Sequence, residues 1–180
     1  MSEQTAALAT IDAYVNEHGI DTDRLDDQTV VVILPGEHRL KTNVALAVGE
    51  QAVTINAFVV RAPDEHHETV YRWMLERNQR IYGIAYALDR LGDIYLVGHL
   101  PLHAVTDDEL DRVFGSILQN SDGAFDHLLE LGFETSIRRE WAWRLSRGEN
   151  TRNLQAFRHL ADPVALAESE GTTDSGSTAD

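Results

Sequence analysis

The sequence predicts an α+β fold: a single antiparallel sheet of about five strands with helices packed on one face, in the order α-βββ-α-ββ-α, plus a C-terminal helical extension. Three observations carry this. Between residues 29 and 60, apolar residues alternate with residues of mixed polarity, and Gly- and Pro-containing turns break the run. On either side, apolar residues recur at three- and four-residue spacing, as one face of a helix requires. After Gly132 the texture changes to an Arg- and Trp-rich stretch with short helical patterns.

Each element has a local reason. In residues 4–18, Ala7, Leu8, Ile11, Tyr14 and Val15 fall close to one helical face, and Gly19 is a suitable stop. "IDTDRLDDQT" reads as a polar connection. Thr29–Leu34 is a strand closed by Pro35-Gly36. Lys41–Val48 and Gln51–Val60 form a hairpin about Gly49-Glu50, with Val53, Ile55, Ala57 and Val59 on one face. Asp64–Arg80 is a second helix, with Val70, Tyr71, Met74, Leu75 and Asn78 at helical spacing. Ile84–Leu88 and Asp93–Leu100 are paired strands joined by "DRLGD", and Pro101 ends the second. Thr106 opens a long helix through a capping box with Glu109, and Asp107 and Asp108 favour its positive end. An interruption is expected near Ser121-Asp122-Gly123, and Gly132 is the expected end. Short helices follow at about 136–147 and 151–160. The domain reading is 1–132 for the α+β domain, 133–162 for the Arg/Trp-rich extension and 163–180 for a disordered acidic tail.

Composition narrows the function. The hydrophobic fraction of 43% supplies a sizeable core for a chain of 180 residues. With no cysteine there are no disulfides, thiolate nucleophiles or cysteine-bound metal clusters. The net charge of −15 repels phosphate backbones, so no nucleic-acid partner is expected. Lys41 is the only lysine. No apolar run approaches the roughly 18–20 residues of a membrane span, and the N-terminus lacks a secretory pattern, so a cytoplasmic protein without a membrane partner is expected.

The fragment richest in reactive groups is Pro63-Asp64-Glu65-His66-His67-Glu68. Helical metal sites use ligands three or four residues apart, whereas adjacent histidines diverge by about 100°. The His-Glu-x-x-His order is absent. Pro63 and the acids suit the start of a helix, and that role is favoured over metal or acid–base chemistry. His99, His103, His127 and His159 follow no ligand spacing. There is no Gly-x-Ser-x-Gly elbow, P-loop or Gly-x-Gly-x-x-Gly, so neither catalytic residues nor a cofactor are expected. Arg138, Arg139, Trp141, Trp143 and Arg144 are the candidate partner-binding residues, since Trp and Arg dominate interface hot spots. Packing of the extension by its tryptophans, with the arginines solvated or paired to the acidic body, is favoured over that role. Asn78 shares an apolar helix face, so its amide needs partners, for which the backbone of the following strand is available.

The strand block "TVVVILPGEHRLKTNVALAVGEQAVTINAFVV", the helix "ETVYRWMLERNQ" and the pair "YGIAYALDRLGDIYLVGHLPL" leading into "TDDELDRVF" resemble the bacterial YbjN family, often labelled sensory transduction regulators. The resemblance covers about residues 5–132, and the later extension resembles the actinobacterial form. It implies a type III secretion chaperone-like fold and a non-enzymatic module, commonly a homodimer, that binds a protein or peptide client. The expected function is therefore a cytoplasmic protein-binding regulatory or chaperone-like module. The rival is a small-molecule or metal-binding sensor or hydrolase using His66, His67 and neighbouring carboxylates. A third possibility is a structural partner of an enzyme, docking through Trp141 and Trp143.

Overall fold

A six-stranded antiparallel sheet, in the order β1-β2-β3-β4-β6-β5, organises the computed structural model, which describes residues 2–174. The strands are β1 (Asp21–Asp26), β2 (Thr29–Pro35), β3 (Lys41–Val48), β4 (Ala52–Val60), β5 (Ile84–Leu88) and β6 (Ile94–Pro101). The helices are α1 (Glu3–Glu17), α2 (His67–Asn78), α3 (Asp107–Ser121), α4 (Phe125–Arg147) and α5 (Pro163–Asp174). Short 3-10 segments occupy Leu102–Ala104 and Arg152–Leu160.

The sheet has one strand more than the sequence suggests. β1 forms where a polar connection was expected, and all its residues are exposed. With both faces solvated it carries no apolar alternation, so hydrophobic periodicity cannot reveal it. Pairing with β2 holds it, with a register shift between Arg24 and Asp26. Arg24 also grips the Asp12 carboxylate of α1 through contacts of 2.6 and 2.8 Å. The acids Asp21, Asp23 and Asp26 make this outer edge a poor template for a further strand.

Alternation decides which face is covered. Val30, Val32 and Leu34 of β2, Val44, Leu46 and Val48 of β3, and Val53, Ile55, Ala57 and Val59 of β4 are buried together with Leu96 of β6. Ile11 of α1, Val70 and Met74 of α2 and Val113, Phe114 and Ile117 of α3 complete that core. Each fully buried aliphatic side chain contributes about 1.5–3 kcal/mol before ordering costs. Thr106 caps α3 by accepting from the Glu109 amide at 3.3 Å, as the capping box predicts.

The break after Ser121 falls where an interruption was expected, but two other boundaries differ. α3 ends at Ser121, and α4 then runs through Gly132 to Arg147 as one helix kinked at Phe133 (φ −143°, ψ 19°). Gly132 thus sits within α4 and serves as a close-approach site: a Cβ there would stand 3.0 Å from the Pro63 ring. The Arg/Trp-rich extension is accordingly a continuation of α4. Ile137, Trp141, Leu154, Phe157 and Leu160 of that extension join the same buried cluster as the sheet. Residues 163–174 are helical where a disordered tail was expected. Pro163 suits the first helical position, the Asp162 carboxylate accepts from the Val164 amide at 2.9 Å, and Leu166 packs against the core. Residues 175–180 of the expected tail lie outside the described residues.

Candidate functional site

The six residues Pro63–Glu68 form a clamp between the sheet and α4. α2 begins only at His67, so Asp64 and Glu65 stand before it and are not in its first turn. The kink at Phe133 interrupts the helical geometry just before the Thr135 amide. Glu65 supplies an acceptor there: its carboxylate takes the Thr135 amide at 2.6 Å and the Thr135 hydroxyl at 2.7 Å. Those two donors hold the Glu65 carboxyl below its ordinary pKa. The amides of Asp64 and Glu65 in turn donate to the Gly132 carbonyl. Arg61 forks onto Asp64 at 2.6 and 2.8 Å and lies 4.3 Å from the Phe133 ring centroid. The Arg61 hydrogen bonds pull the Asp64 carboxyl down to about 2.

The two histidines do not converge. His66 caps α2 in the left-handed region (φ 53°), with Nδ1 3.2 Å from the Leu131 carbonyl. His67 stacks edge-on to Tyr71 on the outer side of α2, ring centroids 6.0 Å apart. Among the described residues no group of three or more His, Asp or Glu is placed to hold a metal ion.

The Arg/Trp candidates divide into two groups. Trp141 is 0% exposed and donates from Nε1 to the Phe157 carbonyl at 3.0 Å. It is the packing centre of the extension and cannot meet a partner, which corrects its place among the candidate binding residues. Arg138 bridges Glu134 and the Leu160 carbonyl. Arg144 holds Glu140, the Asn150 carbonyl and Asn153. Both arginines staple the extension to itself. Trp143, 49% exposed, and exposed Arg139 remain outward. A spacing of two turns a helix by about 200°, so neighbouring tryptophans face opposite ways.

A second surface escaped the sequence reading of binding residues. On the sheet face away from the helices, the register aligns Val31, Ala45, Asn56, Val97 and Ala85 across five strands. One rung further, Phe58 opposes Tyr95, their rings 5.4 Å apart and edge to face. None of these residues belongs to the buried core. Alanines at 45, 47, 85 and 87 keep the floor shallow between larger side chains. The signal was present: outward positions of β4 and β6 hold Phe58, Tyr95 and Val97 where a solvated face would be polar.

Both edges of this sheet are modified. β1 is acidic, and at β5 the Asn78 side chain satisfies Tyr86, donating to its carbonyl at 3.2 Å and accepting from its amide at 2.8 Å. The strand-backbone role expected for Asn78 is what the structure displays.

A sheet of this order, covered by helices on one side, is the arrangement of a known group of proteins. The family model described as "Putative bacterial sensory transduction regulator", YbjN, matches residues 7–130. The chain belongs to the YbjN family. Uncharacterized proteins of Mycobacterium tuberculosis and Mycobacterium leprae are similar to it. The first is 60% identical over 131 residues, covering 73% of this chain and 72% of the relative. The second is 56% identical over 133 residues, covering 74% and 72%. Among solved structures, a chain of the heterodimeric ExoU–SpcU complex from the type III secretion system of Pseudomonas aeruginosa superposes with a TM-score of 0.52. It is 17% identical, and the match covers 68% of this chain and 98% of that one. A chain of the ExsC–ExsE complex matches with a TM-score of 0.53 and 14% identity, covering 71% and 97%. This YbjN protein therefore has the α+β fold of type III secretion chaperones, with a C-terminal helical extension. No helix among its described residues is long and apolar enough to cross a membrane.

Proposed function

We propose that this YbjN protein is a non-enzymatic protein-binding module of regulatory or chaperone type, holding an extended segment of a partner protein on the open face of its sheet. One observation carries the proposal. The sheet is buried on one side only, and the other side bears the Val31–Ala45–Asn56–Val97–Ala85 rung beside the Phe58–Tyr95 pair. Shallow apolar floors with an aromatic wall suit side chains of an extended peptide, while Asn56 and Thr54 offer polar contacts. Complexes with other proteins among its structural neighbours agree with this. The module acts in the cytoplasm and carries out no chemistry of its own. Separation of His66 from His67 counts against the rival metal or hydrolase function.

A homodimer forms part of this proposal. Its surface is the outer stripe of α2, where His67, Tyr71 and Leu75 follow at four-residue spacing and Leu75 is 68% exposed. Trp143 and Arg139 are a secondary contact for the partner.

Photo-crosslinking from position 95 in the native host identifies the segment bound on the sheet, and titration with the purified segment measures it. Val97→Arg is expected to abolish binding while the thermal midpoint stays in place. Undiminished affinity of Val97→Arg would remove the sheet face from consideration. Sedimentation of Leu75→Glu checks the dimer: a wild-type mass would rule out the α2 stripe.

A further inference from the structure

We propose that the groove between the C-terminal half of α2 and α3 is a binding site for a small phosphate-bearing molecule. The groove is a cavity of about 590 Å³ whose lining includes Arg77, Arg80 and Arg112 together with Trp73 and Gln119. Its size lies within the range of about 300–1,000 Å³ usual for small-molecule sites. Acidic residues outnumber basic ones 30 to 15 in this chain, so a gathering of three arginines stands out. Like charges brought together raise the energy of the unliganded fold, and an anion between them relieves it.

The arginines are prepared to different degrees. Arg77 is fixed: its Nε donates to Asn120 Oδ1 at 2.9 Å, and its guanidinium lies 5.4 Å from the Trp73 ring centroid. Asn120 is itself locked, 3% exposed and donating from Nδ2 to the Ser116 carbonyl at 2.8 Å. The remaining guanidinium donors of Arg77 therefore have a set plane. The Arg80 guanidinium makes no hydrogen bond or ion pair among the described residues. Arg112 has only the loose pair with Glu109 at 3.6 Å. Glu76 also lines the groove, so three positive charges face one lining carboxylate, with Glu109 beside them.

That balance selects the ligand. A phosphomonoester carries about −1.5 to −2 charge near neutral pH and offers three strong acceptor oxygens. Guanidinium forks match those oxygens in geometry as well as charge. Against the lining charges alone, a single carboxylate would leave one positive charge uncompensated. α2 and α3 lie on the buried side of the sheet, so the groove is separate from the open face, and either proposal can fail alone.

The test uses the full chain, with inorganic phosphate and phenyl phosphate as probes and chloride at matched ionic strength as control. Proton–nitrogen spectra are expected to show saturable shifts concentrated at the Arg77 Nε–H and the Trp73 indole N–H. Arg80→Ala combined with Arg112→Ala is expected to weaken phenyl phosphate binding about tenfold or more, with the melting temperature held, since both side chains are exposed. Non-saturating shifts, shifts of equal size at Arg61 and Arg152, or wild-type affinity in the double variant would overturn the site. Tighter binding of a phosphoserine peptide than of phenyl phosphate would overturn its assignment to a small molecule.

Discussion

Asn78 occupies the place of a missing strand neighbour at Tyr86. Its amide meets both backbone groups of that residue, at 2.8 and 3.2 Å, and these groups point away from β6 because Tyr86 and Leu96 form a non-hydrogen-bonded pair. The aromatic ring of Tyr86 is anchored separately, its hydroxyl donating to the Asn120 carbonyl. Helix α2 thus closes the sheet edge that it delivers. Asn78→Ala removes both bonds and strands the Tyr86 backbone groups beside α2. The expected loss is about 1–3 kcal/mol in urea unfolding. Asn78→Asp keeps the acceptor but turns a carboxylate toward the Tyr86 carbonyl, so its loss should shrink as the pH is lowered through the carboxylate range.

Asp122 organises the β2–β3 connection by the same logic of borrowed partners. Its carboxylate accepts the amides of Glu37 at 2.9 Å, His38 at 3.0 Å and Arg39 at 2.8 Å. Gly36 makes room, since a Cβ there would meet the Asp122 carboxylate and the Arg39 carbonyl. Burial pushes the Asp122 carboxyl up, but the three amides together outweigh it, and its pKa lies below the ordinary value. A depressed folded pKa gives stability that is present above the unfolded pKa and is lost as pH falls through the folded one. Asp122→Asn is therefore expected to lower stability at neutral pH by about 1–3 kcal/mol and to flatten the acid limb of the stability curve. An acid limb identical to wild type in denaturant titrations at stepped pH would refute this account.

His38 runs in the opposite sense on the same loop. Its Nδ1 is 2.7 Å from the Asp126 carboxylate, and that hydrogen bond raises the imidazole pKa above its usual value. A raised folded pKa gives stability that is full below the unfolded pKa and is lost as pH rises through the folded one. The pair should therefore loosen as pH rises through that raised pKa. A His38 titration followed by NMR should show a raised midpoint in the native chain and a lower one after Asp126→Asn.

The alternating strands, the capping box at Thr106 and the backbone role of Asn78 were legible because each is local: the residues that signal it also make it. Three other features depend on distant chain. β1 is a strand only because β2 lies beside it. Asp64 and Glu65 look like helix-start acids for α2, yet Glu65 serves a kink that arises at Phe133, 70 residues on from Glu65 to its partner Thr135. Trp141 and Trp143 are equivalent by composition, and only the packing of Arg152–Leu160 against α4 decides which one is inside. The open face of the sheet was legible in the apolar outward residues of β4 and β6. Which of them form one surface was not, because Val31, Ala45, Asn56, Val97 and Ala85 come into line only through the strand register.

The tryptophan pair turns that difference into a measurement. Trp141→Ala empties the centre of the extension and orphans the Phe157 carbonyl, so a loss of about 3–5 kcal/mol is expected. Trp143→Ala should stay within about 0.5 kcal/mol of wild type. Equal losses at the two positions in parallel unfolding experiments would contradict the burial assignment.

Glu65 offers the most direct test of what the acidic, histidine-bearing segment does. If it clamps α4, Glu65→Gln should retain the contact to the Thr135 amide through its carbonyl oxygen, whereas Glu65→Ala should lose both contacts. Hydrogen exchange should then quicken at Thr135 and along the following turn in the alanine variant, with β4 and α2 unchanged. His67→Ala should leave that exchange pattern as it is, because the ring faces Tyr71 on the other side of the helix start. If instead the segment bound a metal, both Glu65→Ala and His67→Ala would remove a stoichiometric ion measurable in the purified protein. The positions of the side chains predict the first pattern: the carboxylates are already engaged by Arg61, Thr135 and Ser136, the His66 ring by the Leu131 carbonyl, and the His67 ring turns to Tyr71.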